Sequence, residues 1–187
     1  MTDLTAEQTV DMRIPFDAQI SPDGKWVAFT VAPMGKANDH YVAAIWLVPS
    51  DGSAEARRFS SGTEHDAVPR WSPDGKSIFF LSDRQRRGTL ELYQIPLNGG
   101  EAERVIEWKN GVGNFQLLSG GKRVLFTAND PSTDEEDRRS RDRDDADQFG
   151  ANWRPARLRI YDLETKESQT LDALGDRHVA GFAATSD

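Results

Sequence analysis

The chain of 187 residues contains no cysteine, which excludes disulfides and thiolate metal sites. No apolar run approaches the roughly 20 residues that a helix needs to cross a bilayer. The opening Met1-Thr2-Asp3-Leu4-Thr5-Ala6-Glu7 has neither the basic nor the apolar region of a secretory signal. The expectation is a cytoplasmic protein with no membrane partner. Positive charge is in short supply as well: 23 Lys and Arg against 31 Asp and Glu leave a net charge of −8. That balance argues against nucleic acid, whose phosphates require a surplus of cations. No serine stands in Gly-x-Ser-x-Gly, the turn that presents the nucleophile of α/β-hydrolases. What the chain does have is 37% apolar residues and five tryptophans, enough for a packed globular core.

It also has a repeat. Ser21-Pro22-Asp23-Gly24-Lys25 returns as Ser72-Pro73-Asp74-Gly75-Lys76, and a decayed third copy stands at Leu118-Ser119-Gly120-Gly121-Lys122. Each copy lies between two apolar runs. Serine, a proline with preset φ, aspartate and glycine, in that order, suit a type I turn whose glycine supplies the positive φ of a bulge. A period of about 50 residues made of short strands is the mark of a β-propeller with one four-stranded blade per repeat. The fold class is therefore all-β, a partial propeller of up-and-down blades.

Laid along the chain, the repeat divides it. Thr5-x-x-Gln8 fits a capping box for a short helix over about 6–12, within an N-terminal segment 1–13. Blade 1 covers about 14–60, blade 2 about 65–107 and blade 3 about 112–172. Residues 176–187 read as the opening of a fourth blade, with Asp176–Ala184 its first strand and Thr185-Ser186-Asp187 the start of another turn. Three blades and one strand fall short of the four to eight that close a propeller, so the reading is an incomplete propeller over 14–187 and an N-terminal fragment of a longer protein. An open stack leaves apolar blade faces uncovered, and self-association, including a homo-oligomer, is expected. Trp26, Trp46, Trp71, Phe29, Phe79, Phe80 and Phe126 are assigned to inter-blade core.

Blade 3 carries an insert over about 131–152. From Pro131 to Gln148 it holds eight acids and four arginines, and it reads as a solvated, mobile loop of both charge signs. Asp142-x-Asp144-Asp145-x-Asp147 clusters carboxylates, but an EF-hand starting at Asp142 would need Gly and Glu where Asp147 and Trp153 stand. Trp153 could anchor the insert on a further domain. Gly75-Lys76-Ser77 echoes a phosphate-binding loop, yet Arg70 replaces its first glycine and the context is strand–turn–strand. His40, His65 and His178 could in principle serve catalysis. His65-Asp66 is the most tempting, but neighbours on a strand point to opposite faces, and a structural role is assigned. Arg84-Gln85-Arg86-Arg87-Gly88 reads as a solvated basic turn, with attraction of peptide carboxylates as the alternative. No catalytic, cofactor-binding or metal-binding residue is assigned.

The wording of the second blade, Trp71-Ser72-Pro73-Asp74-Gly75-Lys76-Ser77-Ile78-Phe79-Phe80-Leu81-Ser82-Asp83-Arg84, resembles the propeller phrase of the prolyl oligopeptidase family of serine peptidases. The resemblance is strongest to its acylaminoacyl-peptidase and dipeptidyl-peptidase-like branch. Leu4–Glu7 followed by Ile20–Phe29, and Asn152-Trp153-Arg154-Pro155 followed by Leu158–Thr165, are similar to the same proteins, so that nearly the whole chain is covered. TolB-like propellers share the Pro-Asp-Gly phrase. The family implies an N-terminal propeller that gates a C-terminal α/β-hydrolase domain as partner, with a Ser-Asp-His triad acting on short or N-acylated peptides without a cofactor. None of the triad can be placed on this chain. The alternative is a non-enzymatic TolB-like propeller acting as a protein-binding scaffold.

Overall fold

The structure, a computed structural model, describes residues 12–34, 40–142 and 154–185 together with Thr5, Gln8 and Thr9. It is nearly all β, with three four-stranded antiparallel sheets, each in sequential strand order. The first sheet is β1 (Arg13–Ile20), β2 (Trp26–Pro33), β3 (Ala44–Pro49) and β4 (Arg57–Arg58). The second is β5 (Asp66–Trp71), β6 (Ser77–Ser82), β7 (Glu91–Pro96) and β8 (Glu103–Ile106). The third is β9 (Phe115–Leu117), β10 (Arg123–Asn129), β11 (Ala156–Asp162) and β12 (Ser168–Thr170). No ladder joins one sheet to the next among the described residues. The chain divides into two compact units, 1–105 and 106–187.

The repeated phrase builds the same turn twice. The Gly24 and Gly75 amides donate to the carbonyls of Ser21 and Ser72 at 2.9 and 2.8 Å, and both glycines sit in the left-handed region at φ +74° and +70°. Each serine hydroxyl donates to its aspartate at 2.6 Å and accepts the amide that opens the returning strand, from Trp26 at 2.9 Å and from Ser77 at 3.0 Å. Each aspartate then accepts the lysine amide at 3.1 Å. The serine hydroxyl and the lysine amide hold both carboxyls below the usual aspartate value. In the third copy backbone bonds survive without the side-chain ones: the Gly121 amide donates to Leu118 at 3.0 Å and the Leu118 amide to Arg123 at 2.9 Å.

Both first strands carry a bulge at the same place. Pairing slips between Phe16 and Gln19 in β1 and between Ala67 and Arg70 in β5, and Asp17 and Val68 take positive φ there. Within the first unit, Ala28, Ile45 and Leu47 pack against Trp71, Ile78, Phe80, Tyr93 and Ile95. Trp71 Nε1 donates to the Gln19 carbonyl at 3.0 Å, and Arg70 reaches Asp17 at 2.8 Å. Sheet faces thus meet through one apolar layer, with polar ties from strand to strand at its rim. Trp71, Phe79, Phe80 and Phe126 are buried, whereas Trp26, Phe29 and Trp46 are only partly so.

Several expectations need correction. The fourth strand of blade 1 is confined to Arg57–Arg58, since only those two residues pair with β3. Residues 176–185 form no strand. They are tied instead by Gln116, which exchanges two 3.0 Å hydrogen bonds with Ala184, and by the Val179 amide donating to Ala156. A strand exists only where a ladder accepts its amides, and those amides find single acceptors here. The charged insert is not all loop: Asp134–Arg141 is a helix, α1. Thr133 and Glu136 cap it reciprocally, Asp137 accepts from Ser132, and Arg139 pairs with Glu135 one turn away. At the N-terminus, Thr5 and Gln8 make the reciprocal bonds of a capping box at 3.0 and 3.2 Å.

Candidate functional site

A polar cluster of the first unit gathers around the start of β5 and the end of β6. A parallel bridge between Ala43 and His65, with Ala43 N donating to Glu64 O at 3.1 Å and Asp66 N to Ala43 O at 3.0 Å, lays the chain before β3 alongside the chain before β5. This brings His40, Glu64, His65, Asp66, Asp83 and Arg84 together from three separate segments.

Two carboxylates anchor the cluster. Asp66 is fully buried and accepts from the Arg84 guanidinium at 3.0 Å. That guanidinium also donates to Ser82 Oγ at 3.0 Å and lies over the rings of Phe80 and Tyr93, 5.2 and 4.8 Å from their centroids. Arg84 is therefore packed into the blade and not part of a solvated turn. Its long stem and planar head suit the space between a buried acid and two rings. Asp83, 1% exposed, accepts the His65 amide on one oxygen and the Gly88 amide on the other, both at 2.9 Å. It thereby closes the loop from β6 to β7.

The histidines divide. His65 meets Tyr41 edge-on at 5.0 Å, and burial pushes its imidazole below the ordinary value against the opposing pull of the Asp83 charge. Asp66 points to Arg84 and makes no hydrogen bond with His65, so the adjacent pair is no dyad. His178 accepts the Ala156 amide on Nδ1 at 3.1 Å, a strand-end role in the second unit. His40 lies with Nε2 3.5 Å from Asp83 and 3.9 Å from Glu64. Gly75-Lys76-Ser77 is a hairpin turn running into β6. Of the acidic run, Asp144, Asp145 and Asp147 lie outside the described residues, as does Trp153. Sequence reasoning missed Glu64, Asp83 and the packing of Arg84. Glu64 and Asp83 are 19 residues apart, with no spacing signal to join them.

In the second unit a charged group surrounds α1. Asp130 pairs with Arg157 at 2.8 Å and with Arg159, whose guanidinium lies 4.5 Å from the Trp108 ring centroid. Lys109 meets Asp137 at 2.5 Å, and Arg154 meets Glu136. The Arg154 guanidinium, helped by the Thr133 amide and hydroxyl, pulls Glu136 down to about 2. These groups hold the insert to the sheet.

No protein-family model matches the chain. By sequence it is similar to an uncharacterized peptidase, YuxL, of Bacillus subtilis, at 28% identity over 124 residues, which are 66% of this chain and 19% of that protein. Dipeptidyl-peptidase 5 of Porphyromonas endodontalis is 27% identical over 125 residues, 67% of this chain and 18% of that one. The Tol-Pal system protein TolB of Bordetella pertussis is 38% identical over 61 residues, 33% and 14% respectively. The chain thus spans less than a fifth of the length of these relatives. Among solved structures, the acylaminoacyl peptidase of Pyrococcus horikoshii superposes with a TM-score of 0.62 at 19% identity, over 87% of this chain and 25% of that one. TolB of Acinetobacter baumannii gives 0.60 at 22% identity, over 82% and 31%. No helix of the described residues is long and apolar enough to cross a membrane. The blades built on Ser-Pro-Asp-Gly turns are TolB-like propeller blades, and the relatives of this chain are peptidases alongside TolB, the structural matches among them being propellers of the prolyl oligopeptidase type and of TolB.

Proposed function

We propose that the chain is the N-terminal propeller portion of a cytoplasmic serine peptidase acting on short or N-acylated peptides, with the propeller gating a C-terminal α/β-hydrolase domain. The observation that carries this reading is the match to peptidases over two thirds of the chain, on a nearly all-β fold of three four-stranded blades. The chain holds no Gly-x-Ser-x-Gly. The chemistry therefore belongs to the partner domain, by an acyl-enzyme route, and the blades act by size exclusion.

The test uses the full-length protein. A fluorophosphonate should label one serine outside residues 1–187, and kcat/KM should fall steeply as peptide substrates lengthen. Residues 1–187 alone should hydrolyse nothing. Absence of any labelled serine in the full-length protein would overturn the proposal. The second reading, a TolB-like scaffold that binds another protein, rests on the 38% identity to TolB over 61 residues. It requires that the full-length protein be inert toward peptides and capture a protein partner.

A further inference from the structure

We propose that His40, Glu64 and Asp83 form a binding site for a single zinc ion that ties blade 1 to blade 2. This goes beyond the peptidase reading and does not depend on it. The three side chains come from the segment between β2 and β3, the connector before β5, and the end of β6. One ligand atom from each lies within 4.8 Å of the other two. His40 Nε2 is buried and has no hydrogen-bond partner among the described residues. Its separations from the carboxylates, 3.5 Å to Asp83 and 3.9 Å to Glu64, are too long for hydrogen bonds of about 2.7–3.2 Å. They are close to the spacing of about 3.3–3.6 Å between ligands set tetrahedrally around zinc at about 2.0–2.2 Å.

The donor set is also the right chemistry. One imidazole and two carboxylates give a neutral site once zinc is bound, with a fourth position left for water. Calcium and magnesium prefer six or more oxygens and would leave the imidazole unused. Asp83 is held in place by the amides of His65 and Gly88, one on each oxygen, the outer-shell support that metal carboxylates require. Glu64, 27% exposed at its side chain, provides the way in. The competing occupant of the same space is a proton on His40, which would make a loose ion triad with no metal.

The test is a zinc titration of the purified, chelator-treated chain by calorimetry. One equivalent should bind, with a rise in melting temperature, and excess magnesium should not compete. His40→Gln and Glu64→Gln should each weaken binding by more than the roughly 10–100-fold that loss of an outer-shell partner costs. Cobalt substituted in the unaltered chain should give the intense visible absorption of a tetrahedral site, a readout that does not depend on any variant folding. Zinc that fails to saturate at one equivalent, binding that neither substitution weakens, or a weak octahedral cobalt spectrum would overturn the proposal.

Discussion

Blades 1 and 2 begin with the same five residues and the same turn, yet they differ in what surrounds them. Aligned on Lys25 and Lys76, Phe29 falls on Phe80. The first is partly exposed and the second completely buried. β2 alternates between buried and half-buried residues, while every residue of β6 is buried. The cause lies outside the hairpin. Ile78 and Phe80 present one face of β6 to blade 1, where Ala28, Ile45 and Leu47 receive it. The corresponding face of β2, with Val27, Phe29 and Val31, is only partly covered. The polar positions diverge in the same way. Where blade 2 has Asp66, Ser82 and Arg84, the same alignment gives blade 1 Pro15, Val31 and Pro33, so the buried acid and its guanidinium belong to blade 2 alone. A repeated turn therefore dictates hairpin geometry and leaves burial and charge to each blade's neighbours.

Four measurements would break or sharpen that comparison. Phe80→Ala should cost about 3–5 kcal/mol, the range for emptying a buried aromatic site, whereas Phe29→Ala should cost clearly less; equal losses in chemical denaturation would contradict the packing difference. Arg84→Ala should cost about 3 kcal/mol by leaving Asp66 buried without its cation, and Arg84→Ala combined with Asp66→Ala should recover part of that in a double-mutant cycle. Gly75→Val and Gly24→Val should each cost about 1–2 kcal/mol for a branched side chain at positive φ. Since added atoms at Gly24 meet nothing within 4 Å and those at Gly75 only Pro22 at 3.6 Å, the two losses should agree; a large gap would show that the turns are not equivalent. The smallest effect is set by pH. Glu136 is held at about 2, below its ordinary value, so the contribution of its contact with Arg154 is fully present above about pH 4.5 and is lost as the pH falls through 2. Hydrogen exchange at the start of α1 should then stay protected at pH 3.5; loss of protection already at pH 4.5 would remove the contact from the account.

The sequence made the hairpins legible because Ser-Pro-Asp-Gly encodes a turn through local chemistry: a preset φ, a hydroxyl, a carboxylate and a glycine. Trp71, Phe79, Phe80 and Phe126 were placed in the core for the same reason, since apolar residues flanking a turn have only two faces to choose from. The same pattern points Trp26, Trp46 and Phe29 to the core, yet they are partly exposed, because burial depends on a neighbouring blade that the local pattern does not specify. α1 had a readable signal, Thr133-x-x-Glu136 with acids in the first turn and arginines in the last, but the density of charge masked it. The gathering of His40, Glu64 and Asp83 had none. It arises from a backbone bridge between Ala43 and His65, and pairing between distant segments leaves no trace in spacing.

α1 buries no apolar face. It is fastened by ions, Lys109 on Asp137 and Arg154 on Glu136, whose side chains are partly exposed to water. Ionic strength is therefore a key to this fastening. Raising salt from about 0.1 M to 1 M shortens the screening length from about 10 Å to 3 Å and should loosen α1 while the sheets, built on backbone bonds and apolar contact, stay intact. Trypsin would read the difference at Arg138, Arg139 and Arg141: cleavage there should quicken with salt while the Ser-Pro-Asp-Gly hairpins remain uncut.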